Sequence, residues 1–118
     1  MRIGNISKQR ETARGWLVGQ FFDDGSFKDN DVEIYCKKFF KGDKSDKLHT
    51  HPQGKEYLII LSGKIKMQVD EEIFEMGEGD YIAIKAGQKD KIIEILEDTE
   101  IIGVRYPSVP DNKIILEE

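Results

Sequence analysis

The 118-residue chain holds two histidines, His49 and His51. On an extended strand, positions two apart project to the same side, so both imidazoles are expected to enter one space. Pro52, Gln53, Gly54 and Lys55 then turn the chain, and Glu56 opens what reads as the returning strand. Two imidazoles and a carboxylate converging from adjacent strands form a ligand set for Fe(II), Mn(II), Zn(II), Ni(II) or Cu(II). A two-histidine, one-carboxylate triad also leaves coordination positions open for substrate or oxygen. The one cysteine, Cys36, alternates with Val32 and Ile34, which points to burial rather than to nucleophilic chemistry. There is no Gly-rich phosphate loop in a strand-to-helix context and no serine with a plausible triad.

The elements that must position these residues read as strands. Short apolar runs rich in Ile, Val, Tyr and Phe are each closed by Gly, Asp, Asn or Pro, at 16–22, 32–40, 48–51, 56–61, 64–69, 73–76, 81–85, 91–96 and 101–106, with a last run at 114–116. Turn residues at 23–26, 62–63, 70–72, 77–80 and 86–90 separate them, and no helix of useful length is expected. Such spacing implies an all-β sandwich or barrel. In the run 64–69, Ile65, Met67 and Val69 share the inner face. In the run 56–61, Glu56, Leu58 and Ile60 point inward and Tyr57, Ile59 and Leu61 outward. Met67 and Met76 read as core filler, and Trp16, Phe21, Phe22, Phe39 and Phe40 as core or dimer packing.

The length accommodates one core, so residues 1–118 are expected to form a single domain that folds without disulfides or a stapling metal. A metal here would therefore be functional. The net charge of -5 argues against a nucleic-acid partner. The longest apolar run, 57–61, is far below the roughly 18 residues of a spanning helix, which argues against a membrane. A polar start without an apolar signal core, together with a lone cysteine, makes the cytoplasm the expected compartment. The terminal runs 15–22 and 114–116 would leave strand edges unpaired, and a homodimer is expected to cover them.

Taken together, His49-Thr50-His51, four residues, Glu56, six residues and Gly63 resemble the first motif of the cupin superfamily, HxH(x)3-4E(x)6G. Six residues separate Gly42 from His49, where that family usually has five. Of the second motif, G(x)5PxG(x)2H(x)3N, the glycine spacing is kept by Gly79 and Gly87, while Lys85, Asp90 and Glu94 stand where the family has Pro, a His ligand and Asn. The resemblance covers about residues 42–104 and implies a cupin-type double-stranded β-helix, or jelly-roll, barrel. It also implies a divalent metal (Fe, Mn, Ni or Zn) held inside by His49, His51 and Glu56. Asp90 reads either as a further ligand or as a turn residue. Glu94, four residues on and by the period of two on the same face, reads as a pocket acid and candidate general base, or as a strand-end charge. Lys85, Lys89 and Lys91 either line the mouth or are solvated. Cupins include dioxygenases, isomerases, epimerases, decarboxylases, sugar-binding regulators and storage proteins. The expected function is therefore a metal-binding pocket for a small polar or anionic metabolite, either an Fe(II)/Mn(II) oxygenase or an isomerase. The alternative is a non-catalytic ligand-binding or sensory module.

Overall fold

The computed structural model describes residues 1–23 and 25–117, so the turn expected at 23–26 includes one residue, Asp24, that lies outside the described set. Among the described residues the alternating pattern becomes ten strands: β1 (Trp16–Val18), β2 (Glu33–Phe39), β3 (His49–Thr50), β4 (Lys55–Ser62), β5 (Lys64–Val69), β6 (Glu72–Gly77), β7 (Tyr81–Lys85), β8 (Lys89–Ile95), β9 (Thr99–Tyr106) and β10 (Ile114–Ile115). They form two five-stranded sheets, β1-β2-β9-β4-β7 and β10-β3-β8-β5-β6, with antiparallel pairing throughout. This is the all-β double-sheet architecture expected from the sequence. Both sheets feed one core, with Leu58, Ile60 and Ile101 from the first and Ile65, Met67 and Ile95 from the second. The alternation holds as expected in β4, where Glu56, Leu58 and Ile60 are buried while Ile59 and Leu61 are exposed. No helix among the described residues is long and apolar enough to cross a membrane.

Two expectations are corrected. A helix, α1 (Ile6–Ala13), precedes β1 where none was expected. It buries no residue, so it has no apolar stripe for a periodicity argument to find. Its ends are set by capping: Asn5 accepts a hydrogen bond from the Lys8 amide (3.1 Å), and Arg14 closes it in the left-handed region with φ of 55°. Polar bonds tether it to the first sheet, Gln9 donating to Trp16 O (2.8 Å) and Arg10 reaching Cys36 O and Sγ (both 3.3 Å). Cys36 is buried, as its alternation suggested. The second correction is the first strand, which ends at Val18; Gly19 then turns away, accepting from Phe22 N and donating to Phe27 O.

The glycine that ends the first motif has a steric reason. Gly63 links β4 to β5 at φ +90°, and a Cβ there would lie 2.2 Å from Asp98 O and 2.4 Å from Thr99 Oγ1. Thr99 cannot retreat, being fully buried with its hydroxyl accepting from Lys64 N (3.1 Å) and donating to Glu97 O (2.7 Å). Gly63→Ala combines a disfavoured φ with a backbone clash, and is expected to cost about 2–4 kcal/mol of stability. Urea unfolding followed by Trp16 fluorescence measures it, and a loss below about 1 kcal/mol would contradict the steric account.

Candidate metal centre

β3 is two residues long, yet its register decides the site. It pairs with β8 so that His49 lies directly opposite Asp90. Opposed residues share a face of the sheet, with Cβ atoms about 4.5–5.5 Å apart, which aims the Asp90 carboxylate at the His49 ring. The resulting approach is 3.3 Å from Nε2 to Oδ1. Alternation turns Thr50 away and brings His51 back inward, its ring 5.1 Å from that of His49. His49, His51 and Asp90 are all buried, and one potential ligand atom from each lies within 4.8 Å of the others. Donors bound to one ion at about 2.1 Å on adjacent positions lie about 3–3.5 Å apart, so binding would draw this group together by up to about 1–2 Å. Asp90 is the second residue of β8, buried within the strand rather than placed in the turn.

Main-chain carbonyls set the tautomer of both neutral rings. Nδ1 of His49 is 2.7 Å from Lys47 O, and Nδ1 of His51 is 2.6 Å from Asn112 O. A carbonyl can only accept, so each Nδ1 donates, and in the neutral ring each Nε2 presents a lone pair to the interior. Nδ1 of His49 also lies 3.5 Å from Asp46 Oδ2. Three buried side-chain atoms among the described residues lack a hydrogen-bond partner, and two of them, His51 Nε2 and Asp90 Oδ2, belong to this group; the third is Thr50 Oγ1. Leaving such atoms bare costs free energy. Burial, and after it the charges of Glu56 and Asp46, push the Asp90 carboxyl up to about 7. Burial and then Arg105 hold the His51 imidazole below its ordinary value. Lone pairs facing lone pairs in a dry site are relieved by a proton or a cation between them, and this donor set fits a divalent cation.

Glu56 points inward as expected, but its carboxylate is engaged elsewhere. Oε2 accepts from Nε of Arg105, its direct cross-strand partner on β9. It is not part of the three-residue ligand group. Glu94 is corrected outright. A bulge in the β5–β8 ladder pairs Met67 with Ile92 but Lys66 with Glu94, so the period of two breaks at Ile93. Glu94 is consequently exposed on the face opposite the site, where it can act as neither base nor ligand there. Lys85 and Lys89 are exposed and Lys91 pairs with Glu117 at 3.2 Å, so the solvated reading holds for them.

The chain's residues 38–93 match the family model of the cupin domain. Over its full length the fold superposes on a protein with a double-stranded beta-helix domain from Klebsiella pneumoniae, covering 99% of that chain at a TM-score of 0.71 and 17% identity. The chain has the double-stranded beta-helix fold, and its match to the cupin domain spans just under half of its length. A conserved protein of unknown function from Streptococcus pyogenes is similar at 26% identity and a TM-score of 0.58, with 64% of each chain covered. Oxalate decarboxylase from Bacillus subtilis shares the fold at 19% identity and a TM-score of 0.64; 74% of this chain aligns with 24% of that enzyme. No curated protein sequence matches the chain.

Three cations beside the metal group escaped the sequence reading. Lys37, Arg105 and Lys113 line the inner cavity of about 170 Å³ together with His49, Glu56 and Asp90. The first two were legible in principle, since Lys37 alternates with Tyr35 and Phe39, and Arg105 with Ile101 and Gly103. Burial, then Arg105 and Lys113, lower the Lys37 ammonium below the usual lysine value. Asn112 was equally unmarked, although it ties the tail over the motif loop: its carbonyl holds His51 and its side chain bonds Gln53 N (2.9 Å) and Gln53 O (3.0 Å).

Proposed function

We propose that the protein is an Fe(II)- or Mn(II)-dependent cupin that takes a small, oxygen-rich anion beside the metal and acts on it as an oxygenase. One observation supports this above the rest: two imidazole lone pairs and a carboxylate, all buried, face one another with His51 Nε2 and Asp90 Oδ2 unpartnered. Two histidines and one carboxylate suit non-haem Fe(II) and leave positions open for oxygen and substrate. An oxygen donor at Asp90, where other cupins carry a third imidazole, favours Mn(II) and Fe(II) over Ni(II) and Cu(II). His49, His51 and Asp90 would hold the ion, which supplies Lewis-acid and redox chemistry when bound.

The remaining residues select the ligand. Lys37, Lys113 and Arg105 give the inner cavity a cationic wall for carboxylate or phosphate groups. Burial, and then the Glu56 charge, push the Tyr35 phenol well above its ordinary value, so it stays protonated and able to donate to a bound oxygen. Tyr35 sits there because Gly103 opposite it has no side chain; a Cβ at Gly103 would lie 1.9 Å from the Tyr35 ring. A second reading, an isomerase that moves a proton on the ligand, is favoured by the same Tyr35 beside Lys37, whose amine is easier to deprotonate than usual.

The test that separates them needs no known substrate. Fe(II)-loaded protein exposed anaerobically to nitric oxide, an oxygen surrogate, is expected to give the paramagnetic signal of a high-spin iron–nitrosyl site. Bound Fe(II) with no such signal would overturn the oxygenase reading in favour of the isomerase. The proposal extends to a homodimer, because β1 and β10 each end a sheet and offer an unpaired edge to a second copy. Sedimentation equilibrium at tens of micromolar should give twice the chain mass; a monomer throughout would reject the dimer.

A further inference from the structure

Across the first sheet, Glu33 on β2, Arg105 on β9 and Glu56 on β4 occupy one inward-facing row, each directly opposite the next. Arg105 is held from both sides, by Glu56 through Nε and by Glu33 through NH1 at 3.5 Å. Glu33 has a second anchor in the Ser108 hydroxyl (3.0 Å), itself tied to the Gln20 amide (2.8 Å). Glu56 has Arg105 as its ion-pair partner and lines the inner cavity with His49 and Asp90. The guanidinium lies between two spaces. It borders the inner cavity, and also an outer one of about 230 Å³ that opens past Trp16, Glu33 and His51.

We propose that Arg105 is a positioning residue that exchanges Glu56 for the anionic group of the ligand, releasing Glu56 to become a fourth metal ligand. The inference rests on the metal-dependent reading above. A carboxylate or phosphate in the outer cavity has Arg105 and Lys113 as its cationic lining, and such groups form strong, often bidentate hydrogen bonds with arginine. Glu33, anchored by Ser108, keeps its place on the other side of Arg105. Glu56 then loses its cation while remaining buried, and an unpaired buried carboxylate is costly. The positive charges that can compensate it in the same cavity are Lys37, Lys113 and an ion held by His49, His51 and Asp90, and of these the ion is the one that binds a carboxylate as a ligand. Ligand and metal would therefore strengthen each other's binding, since coupling between two sites is reciprocal. The metal site would complete itself when an anion arrives, which restrains metal chemistry in the absence of substrate.

Calorimetric titration of Mn(II) into metal-free protein tests this without any turnover. Wild type and Glu56→Gln are expected to bind Mn(II) within about threefold of each other, because Glu56 is withheld in both cases. Adding inorganic sulfate, a dianion that coordinates Mn(II) weakly, is expected to tighten Mn(II) binding to wild type by at least about fivefold, with no effect on Glu56→Gln. Arg105→Met is expected to bind Mn(II) about tenfold tighter than wild type without sulfate, and the double variant to lose that gain. Should Arg105→Met fail to fold, the sulfate dependence of wild type and Glu56→Gln decides the matter alone. A large loss of Mn(II) affinity in Glu56→Gln without sulfate would show that Glu56 already ligates and would overturn the exchange. Equal sulfate responses in both proteins would overturn it too, leaving the metal site intact. No Mn(II) binding by wild type under any of these conditions would instead overturn the metal reading itself.

Discussion

Replacing His51 with alanine should weaken Mn(II) binding by more than about 100-fold, because losing a ligand outright exceeds the 10–100-fold cost of disturbing an outer-shell partner. Its Nε2 is one of two bare buried atoms in the group, so nothing nearby is placed to take over. Asp90→Ala should cost at least about tenfold for the same reason. Asp90→His supplies nitrogen in place of oxygen and should move the preference toward Ni(II) and Cu(II). Calorimetric titration of the metal-free proteins near neutral pH measures all three. A His51→Ala protein that binds Mn(II) as tightly as wild type would remove the metal centre from this account.

The metal-free protein should lose stability as pH rises from about 4 to about 7, and Asp90→Asn should remove most of that slope. The sign follows from proton linkage. Asp90 titrates at about 7 in the folded chain and at its ordinary value of 3.8 when unfolded. Between those values the folded state keeps a proton that the unfolded state has released, so raising the pH favours unfolding. The stabilising contribution is complete below about pH 4 and gone above about pH 7. Mn(II) should reverse the trend, since it requires the deprotonated carboxylate and its affinity should climb as pH rises toward 7. Melting curves of wild type and Asp90→Asn across this range, with and without Mn(II), give the comparison. Parallel slopes in the two metal-free proteins would show that Asp90 is not the group responsible.

Local spacing made much of this molecule legible, and long-range register made the rest illegible. His49, His51, Glu56 and Gly63 could be read because they fall in one short stretch of chain whose spacing is itself a motif, although the groups they meet, Asp90, Asn112, Arg105 and Thr99, lie far along the chain. Ile65, Met67 and Val69 were readable for the same reason, as the pleat repeats every two residues. Glu94 was misplaced because one extra residue at Ile93 inverts the phase, and a bulge has no composition that announces it. The helix Ile6–Ala13 was missed because capping and polar tethers, rather than an apolar face, hold it. The row Glu33, Arg105 and Glu56 joins residues as far apart as 33 and 105, and only the pairing of β2, β9 and β4 reveals that they are neighbours. Glu56 therefore looked like a free ligand from the sequence and is an ion-pair partner in the fold.

That both imidazoles are oriented by main-chain oxygens, at Lys47 and at Asn112, bears on how such a centre changes over evolutionary time. Every amino acid supplies a carbonyl, so the groups that fix the tautomers impose no residue type at either position, provided the loop and the tail keep their paths. Surroundings of this kind can diverge freely in sequence while preserving the electronic state of the rings. Two proteins of this fold with unrelated residues at these positions could thus keep their rings poised alike, and an alignment would show no trace of the shared support.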